Sequence, residues 1–227
     1  MKKLLAIIGI LLIIFVGMFT YKNNLKQRNV NVSEVEEIEQ YIQKIYMWQE
    51  ITGEALPKFD NINNAPDLWV WEVVKKNLEE FELDYNQIQD KAKEIFGDNF
   101  EKKFPKDGSE YIYYDETSGK YIATGIGLDT QDDLFLIKQI KKDKNKYQVE
   151  IVEYLEDYEN AMGIEDENEE YDIYIKNLKQ ETIATIKSSE SETKRIELVK
   201  QNINSFTTKT INLIKDKKGK IYVESVK

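Results

Sequence analysis

One uninterrupted apolar run near the start of the chain constrains it more than any other feature. The run extends from Leu4 to Thr20, contains no charged residue and has lysines on both sides. Its length of about 17 residues is at the short end of what crosses a bilayer as a helix, and Tyr21 and Lys22 extend it into the interface. The run therefore predicts a signal anchor, a transmembrane helix at residues 1–21, which binds the chain to a membrane through residues 4–21.

Two other interpretations of this run remain open. A cleaved signal peptide has the same charged start, but it also needs a small-x-small cleavage site, and residues 17–21 (GMFTY) do not offer one. A lipoprotein signal would need a cysteine, and the chain has none. A helix buried in a core is the remaining interpretation.

The positive charges on the two sides of the run are nearly balanced. Lys2, Lys3 and the α-amine precede it, and three basic residues follow it within residues 22–28. Lysine and arginine mark the cytoplasmic side, and a short charged start before an apolar core is typical of a signal sequence. We therefore expect the N-terminus inside, a polar stalk at residues 22–32, and the domain at residues 33–227 outside the cytoplasm.

The domain beyond the anchor is strongly acidic. Residues 1–28 hold five basic residues and no acid, so the remaining 199 residues hold 27 Lys and Arg against 42 Asp and Glu, a net charge of −15. Affinity for nucleic-acid phosphates comes from clustered Lys and Arg. The composition therefore predicts no nucleic-acid partner. The abundance of lysine beside only two arginines is typical of an AT-rich bacterial genome.

The residue inventory excludes several kinds of catalytic site. The chain contains no histidine and no cysteine, which rules out Ser-His-Asp and Cys-His catalysis, histidine zinc sites and disulfides. The sequence also has no phosphate-binding loop, dinucleotide fingerprint or nucleophile elbow. We therefore predict no catalytic residue, metal ligand or cofactor from the sequence.

Carboxylates leave two kinds of site to consider. Ten acidic residues lie between Glu153 and Asp172, but no window there has the spacing of a calcium-binding EF-hand loop, so a solvated acidic loop is expected. A glycosidase needs a pair of carboxylates beside a sugar bond. Among 42 acidic residues the sequence cannot select such a pair.

Apolar residues at helical spacing predict three helices in the first third of the domain. The first begins at a capping box formed by Ser33 and Glu36 and ends near Gly53. The second covers residues 67–81, with a proline at its start. The third covers residues 84–97, from an Asp-x-x-Gln start to a glycine.

After residue 108 the apolar pattern changes to a period of two, which predicts strands. The expected strands cover residues 110–115, 120–129, 133–141, 146–155, 172–175, 181–187, 208–215 and 220–226, with a further helix at 192–205. The pair Ile151–Val152 breaks the alternation and predicts a bulge or bend. Helices followed by a meander of strands indicate an α+β fold with helices packed on one face of a bent antiparallel sheet.

Residues 33–155 resemble the NTF2-like (cystatin-like) superfamily. The resemblance is carried by the order of elements around KAKEIFGDNF, YIYYDETSGKYIATGIGLD and KQIKKDKNKYQVEIVEYLED. It implies three helices on long, bent antiparallel strands, with the extra helix and the C-terminal hairpin, residues 172–227, as an appended lobe. The superfamily contains enzymes, pocket binders and scaffolds, including membrane-anchored scaffolds of conjugation machines, so the resemblance does not assign a chemistry.

Aromatic residues supply candidates for a binding surface. Trp69, Trp71, Tyr111 and Tyr113 either stack on a sugar or anchor a partner, or fill the core between helices and sheet. Trp69 and Trp71 lie about 200° apart on a helix, so we expect one of them at the periphery. That tryptophan is the best single candidate for an interaction residue.

Small residues on one predicted strand supply a second candidate. Gly125 and Gly127 share a face with Ala123, and a face without bulk either floors a pocket or lets a helix or ring pack closely. We include both glycines among the candidate ligand-binding residues.

Together these observations predict a membrane-anchored cell-envelope protein with a non-enzymatic role in binding or assembly, and other envelope proteins as partners. The alternative is a pocket-type binder of a small ligand, or a carboxylate-dependent enzyme that acts on envelope material. That alternative predicts an open cavity lined by tyrosines and a buried carboxylate with a raised pKa.

Overall fold

The computed structural model describes residues 30–47, 54–124, 131–158 and 170–227, and these residues form an α+β fold. Its helices are α1 (Val32–Ile45), α2 (Asp67–Lys76), α3 (Tyr85–Phe96) and α4 (Glu192–Gln201). Its strands are β1 (Glu82–Leu83), β2 (Ile112–Asp115), β3 (Lys120–Ala123), β4 (Gln131–Asp143), β5 (Lys146–Asp157), β6 (Asp172–Lys176), β7 (Thr182–Lys187), β8 (Thr207–Lys215) and β9 (Ile221–Val226). The predicted anchor lies outside the described residues. Within the described residues, no helix has the length and apolar character needed to cross a membrane.

Helix α1 begins earlier than the sequence pattern predicted. Asn31 caps it: the Asn31 side chain accepts from the Glu34 N–H at 2.9 Å, and the Glu34 carboxylate accepts from the Asn31 N–H at 3.2 Å. The predicted Ser33–Glu36 box is therefore wrong. Asparagine is as strong an N-cap as serine, and here it stands two residues upstream with its own acidic partner three positions on.

The ends of α1 and α2 also differ from the prediction, because each helix stops at a contact with the other. The Lys76 ammonium donates to the carbonyls of Gln43 and Tyr46 at 3.1 and 2.9 Å, which satisfies the last turn of α1. The Asn77 amide donates to the Lys44 carbonyl of α1 at 3.1 Å and to the Val73 carbonyl at 2.7 Å, where α2 ends. Helix α1 thus stops at residue 45 rather than near Gly53, which lies outside the described residues. Helix α2 was predicted to continue to residue 81, but it ends at Lys76. Phe81 therefore lies beyond the helix, and it is 72% exposed.

Helix α3 matches its prediction closely. Asp84 and Gln87 form the capping box, and Gly97 ends the helix with φ of +94°. All the signals that define this helix are local, so the sequence alone was sufficient.

Strand β5 is the branch point of the larger sheet. Along one edge it pairs with β4 over its whole length. Along the other edge residues 146–153 pair with β8, and residues 155–157 pair with β6. The sheet therefore divides near residue 154 into an arm formed by β8 and β9 and an arm formed by β6 and β7, and all these pairings are antiparallel. A separate small sheet has the order β1-β3-β2.

The break in alternation at Ile151–Val152 has a different cause from the predicted bulge in β5. Burial alternates in the first half of β5 and then becomes continuous over residues 151–156. Ile151 belongs to one apolar cluster and Val152 to another, so both faces of the strand are covered there. The bulge itself lies on the partner strand, between Ile137 and Gln139 of β4.

The two apolar clusters lie on opposite faces of the larger sheet. The larger cluster joins α1, α2 and α3 to the face that contains Val149 and Ile151. The smaller cluster joins β6, β7 and α4 to the face that contains Val152 and Tyr154. Residues 172–227, predicted as an appended lobe, are therefore shared: β6, β7 and α4 belong to the smaller cluster, and β8 and β9 contribute to the larger one.

Candidate functional site

The outer face of the larger sheet, opposite α1–α3, is covered over only part of its area. The smaller cluster begins at Val152, and before it the residues of β5 alternate between buried and exposed. This open area is the floor of a groove of about 1260 Å³. Sites for drug-sized ligands have volumes of roughly 300–1,000 Å³, so this groove has room for a ligand of several linked units.

Alternate residues of four neighbouring strands supply the floor of the groove. They are Lys141 and Asp143 of β4, Lys146 and Gln148 of β5, Asn212 and Ile214 of β8, and Tyr222 and Glu224 of β9. Successive side chains of a strand point to opposite faces, and the residues between these, such as Val149 and Leu213, are buried in the larger cluster. Apart from Ile214 and the ring of Tyr222, the floor is polar.

A β-bulge places two consecutive polar residues of β9 at the groove. The register of β8 and β9 shifts between Asn212 and Leu213, which leaves Glu224 as the extra residue. The Glu224 carboxylate accepts from the Lys146 ammonium at 3.0 and 3.1 Å, and Ser225 Oγ accepts from the Asn212 amide at 2.8 Å. Bulges often re-aim side chains near functional sites, and this one brings a carboxylate onto the floor.

Two loop segments, Asp60–Asn63 and Phe96–Asn99, form a wall of the groove beside β9. Asn63 holds the two together: its amide donates to the Asn99 carbonyl at 3.1 Å, and its side-chain oxygen accepts from the Glu101 N–H at 2.8 Å. Backbone bonds from the residue before the first segment also attach it to the end of β9. The wall is therefore fixed relative to the floor.

Tyr222 is the aromatic residue of the floor. A Cβ at Gly97 would lie 3.1 Å from the Tyr222 ring, so the ring packs directly on the backbone at the end of α3. Partial burial raises the pKa of Tyr222, and the negative charges of Asp216 and Asp98 raise it further. The phenol consequently stays protonated and offers both a donor and an acceptor.

The charges of the groove floor cancel, although the domain is acidic. Lys141 and Lys146 stand beside Asp143 and Glu224 on the floor. Lys142, at the rim, is paired with Glu34 at 2.5 Å. Over the whole lining, six lysines stand against five acids, and two of these lysines, Lys142 and Lys215, pair with Glu34 and Glu37 of α1. The groove is therefore close to neutral on a domain of net charge −15.

A buried ion pair lies on the other face of the sheet, where the sheet divides. The Glu153 carboxylate lies 3.2 Å from the Lys209 ammonium, and both side chains are buried. The Tyr46 hydroxyl donates to Glu153 at 3.3 Å, and the Lys209 ammonium donates to the Leu56 carbonyl at 2.5 Å. Burial raises the pKa of Glu153, and the nearby Lys209 opposes this effect without cancelling it.

Both features expected for a pocket-type enzyme are present, but they are apart. The groove is lined by Tyr147 and Tyr222, whereas the buried carboxylate with a raised pKa, Glu153, is not among the lining residues. The Tyr147 hydroxyl itself donates to Glu34 at 3.0 Å. Glu153 therefore fits a structural ion pair between β5, β8 and the segment that contains Leu56.

The two tryptophans among the predicted site residues are both buried, so the expectation that one lies at the periphery is wrong. The Trp69 ring packs on Phe59 and Phe96, with centroids 5.4 and 5.7 Å apart, and the Trp71 ring packs edge-on against Phe104 at 5.1 Å. Helix α2 is covered on two sides, so residues about 200° apart are both in the core.

The remaining candidates do not meet in one place. Tyr113 is 48% exposed on the small sheet, and Tyr111 is half-buried with the Lys75 ammonium 5.8 Å from its ring centroid. Gly125 and Gly127 lie outside the described residues. Neither tyrosine lines the groove.

The acidic segment from Glu153 to Asp172 is described only at its two ends, where Glu170 accepts a hydrogen bond from the Ser189 hydroxyl and the other acids pair with basic residues. Glu156 lies 3.1 Å from Arg195, Asp172 lies 2.9 Å from Lys187, and Asp157 pairs with Lys176. Among the described residues no group of three or more acids is arranged to hold a metal ion.

The groove was not predicted from the sequence, although the sequence contains a signal for it. Polar residues alternate with apolar ones in residues 146–150 and around Asn212, whereas residues 151–155 of β5 (IVEYL) are apolar at both odd and even positions, with Glu153 as the exception. That change marks the boundary between open and covered sheet. The bulge that presents Glu224 left no comparable signal.

Comparison of the chain with family models, curated proteins and solved structures gave no match in any of the three.

Proposed function

We propose that this chain is a membrane-anchored, non-enzymatic binding module of the cell envelope, and that it binds a polar ligand in the groove. The observation that carries the proposal is the uncovered half of the sheet: a floor from four strands, a wall fixed by Asn63, and a volume of about 1260 Å³. Concave sites with convergent polar groups are the usual places of ligand binding.

The anchor rests on the sequence alone. The uncharged run from Leu4 to Thr20 supports a single membrane span, with the domain at residues 33–227 outside the cytoplasm. Kinship with the NTF2-like superfamily belongs to the same proposal, and the packing of α1–α3 on one face of an antiparallel sheet supports it.

A second candidate function, docking to another envelope protein, is favoured by a separate observation. Phe81, Tyr113 and Tyr114 at the small sheet are 72%, 48% and 42% exposed. Exposed aromatic residues are common anchors of protein interfaces. This surface is distinct from the groove, so variants can separate the two functions.

Cysteine labelling in intact cells tests the groove proposal, because the natural chain has no cysteine to interfere. Gln148→Cys places a thiol on the groove floor, and Asn86→Cys places a matched thiol on the exposed side of α3. Each full-length variant is treated with a membrane-impermeant maleimide, first in cells and then after purification. We expect the thiol at position 148 to react several-fold more slowly in cells than in pure protein, because ligand covers the groove, and the thiol at position 86 to react equally in both.

Two results would contradict the proposal. Equal labelling of both thiols in cells and in pure protein would mean that the groove is empty in the envelope. Labelling of both thiols only after lysis would place the domain in the cytoplasm.

A further inference from the structure

We infer that the ligand of the groove is an uncharged or zwitterionic saccharide chain, an inference that rests on the function proposed above. Hydrogen-bond chemistry is the first argument. Sugar hydroxyls both donate and accept, and the floor offers both kinds of group: ammonium donors, carboxylate acceptors, and the amides of Gln148 and Asn212, which do both.

Charge is the second argument. The two lysines and two acids of the floor cancel, and the rest of the domain is acidic. An anionic polymer would be repelled by the domain, and a cationic polymer would bind its acidic surface without selecting the groove. A ligand without net charge is neither repelled by the acidic domain nor attracted to its surface outside the groove. Such a ligand therefore binds selectively in the groove.

The kind of surface is the third argument, and it favours a saccharide over an extended peptide. A peptide gains affinity by pairing its backbone with a free strand edge and by filling apolar pockets with alternate side chains. The groove offers the face of a sheet, built from side chains, and Ile214 is the one aliphatic residue among the eight of its floor. The ring of Tyr222, supported from behind by Gly97, is a platform on which the apolar face of a sugar ring can stack.

Calorimetry on the full-length protein in nanodiscs tests the inference. The probes are chitotetraose and maltotetraose as uncharged saccharides, tetra-alanine as a zwitterionic peptide, and polyglutamate as an anionic polymer. We expect a saccharide to bind, and Tyr222→Leu to weaken its binding about tenfold, because the stacking platform of the aromatic ring is lost. Tyr222→Phe keeps the ring and should bind nearly as well as the natural protein.

Two further variants test whether a loss of binding comes from misfolding and whether the saccharide binds in the groove. Gln148→Ala removes an exposed amide from the floor without disturbing the core, and it should also weaken saccharide binding several-fold. Tyr113→Leu is the matched tyrosine substitution on the small sheet and should leave saccharide binding unchanged.

The outcomes separate the ligand class from the groove itself. If tetra-alanine or polyglutamate binds in place of the saccharides and Gln148→Ala weakens that binding, the saccharide class is wrong and the groove remains the binding site. If no probe binds, or if binding responds to Tyr113→Leu but not to the groove variants, the saccharide inference and the groove function are both overturned.

Discussion

At the scale of single residues, the ion pair between Glu153 and Lys209 has the largest energetic consequence. Both side chains are buried where the sheet divides. Glu153 also accepts from the Tyr46 hydroxyl, and Lys209 also donates to the Leu56 carbonyl. A buried pair contributes little against an apolar pair of the same size, but removing one member leaves an uncompensated charge. We therefore expect the pair to act mainly by fixing which strands meet at this point.

Substituting one member of this pair should be far more harmful than substituting both. We expect Lys209→Met to lower the free energy of unfolding by about 3–5 kcal/mol, because the Glu153 carboxylate stays buried without its counter-ion. The double variant Glu153→Met with Lys209→Met should recover most of that loss. Urea unfolding of the three proteins measures both effects, and a double variant no more stable than Lys209→Met would contradict the expectation.

The same variant should depend on pH with a defined sign. The pKa of Glu153 is already raised from 4.5 by burial, and loss of the Lys209 ammonium raises it further. A carboxyl whose pKa is higher in the folded state than in the unfolded state binds more protons in the folded state. Stability therefore falls as the pH rises from the unfolded-state pKa to the folded-state pKa. The deficit of Lys209→Met should therefore shrink as pH falls from 8 towards 5, and a constant deficit would mean that Glu153 is not the destabilised group.

The burial of both Trp69 and Trp71 could not be predicted from helix geometry alone. Helical geometry correctly separated the two side chains around the helix, but it could not show that aromatic residues from distant segments, Phe59 and Phe104, would cover both sides. The number of covered faces is a property of the tertiary structure. Exposure of a single residue cannot be predicted without it.

At the scale of elements, boundaries set by local signals were predictable and boundaries set by contacts were not. Helix α3 has its cap and its terminal glycine within its own sequence, and the prediction was confirmed to within a residue. Helices α1 and α2 end at bonds from Lys76 to the end of α1 and from Asn77 to both helices. The bonds between the two helices join residues 30–33 positions apart, which periodicity does not reveal.

Alanine substitutions at two glycines beside the small sheet test whether the backbone approaches β2 as closely as the structure shows. Gly108 and Gly119 both have positive φ, +94° and +69°. A Cβ at Gly108 would lie 2.4 Å from the Ile112 carbonyl oxygen, whereas at Gly119 the nearest atom is the Tyr114 hydroxyl at 3.9 Å. We expect Gly119→Ala to cost about 1 kcal/mol of stability from backbone strain alone, and Gly108→Ala about 3 kcal/mol, because the chain must also shift.

Chemical unfolding of the two alanine variants provides the measurement. Equal losses would show that the close approach of residue 108 to β2 does not exist in solution.

At the scale of the whole molecule, the division of the larger sheet at β5 creates the groove. The arm formed by β6 and β7, with α4, covers the outer face from Val152 onward and leaves the earlier part open. Most of the strands and their antiparallel pairing were predictable from alternation and turns. The strand order was not: a meander in one sheet was predicted, but β1, β2 and β3 form a sheet of their own, and β8 pairs with β5. The division was not predictable either, because it depends on which segments pair along the second edge of β5, and the pattern of one strand does not identify its neighbours.

The proposed role depends on the side of the membrane that the domain occupies, and protease shaving of intact cells measures this most directly. A C-terminal epitope is added to the full chain, and cells are treated with protease before and after lysis. We predict loss of the epitope in intact cells, since the apolar run from Leu4 to Thr20 is proposed to hold the chain with its N-terminus inside. Protection of the epitope until the cells are lysed would place the domain at residues 33–227 in the cytoplasm and would contradict the envelope-binding role.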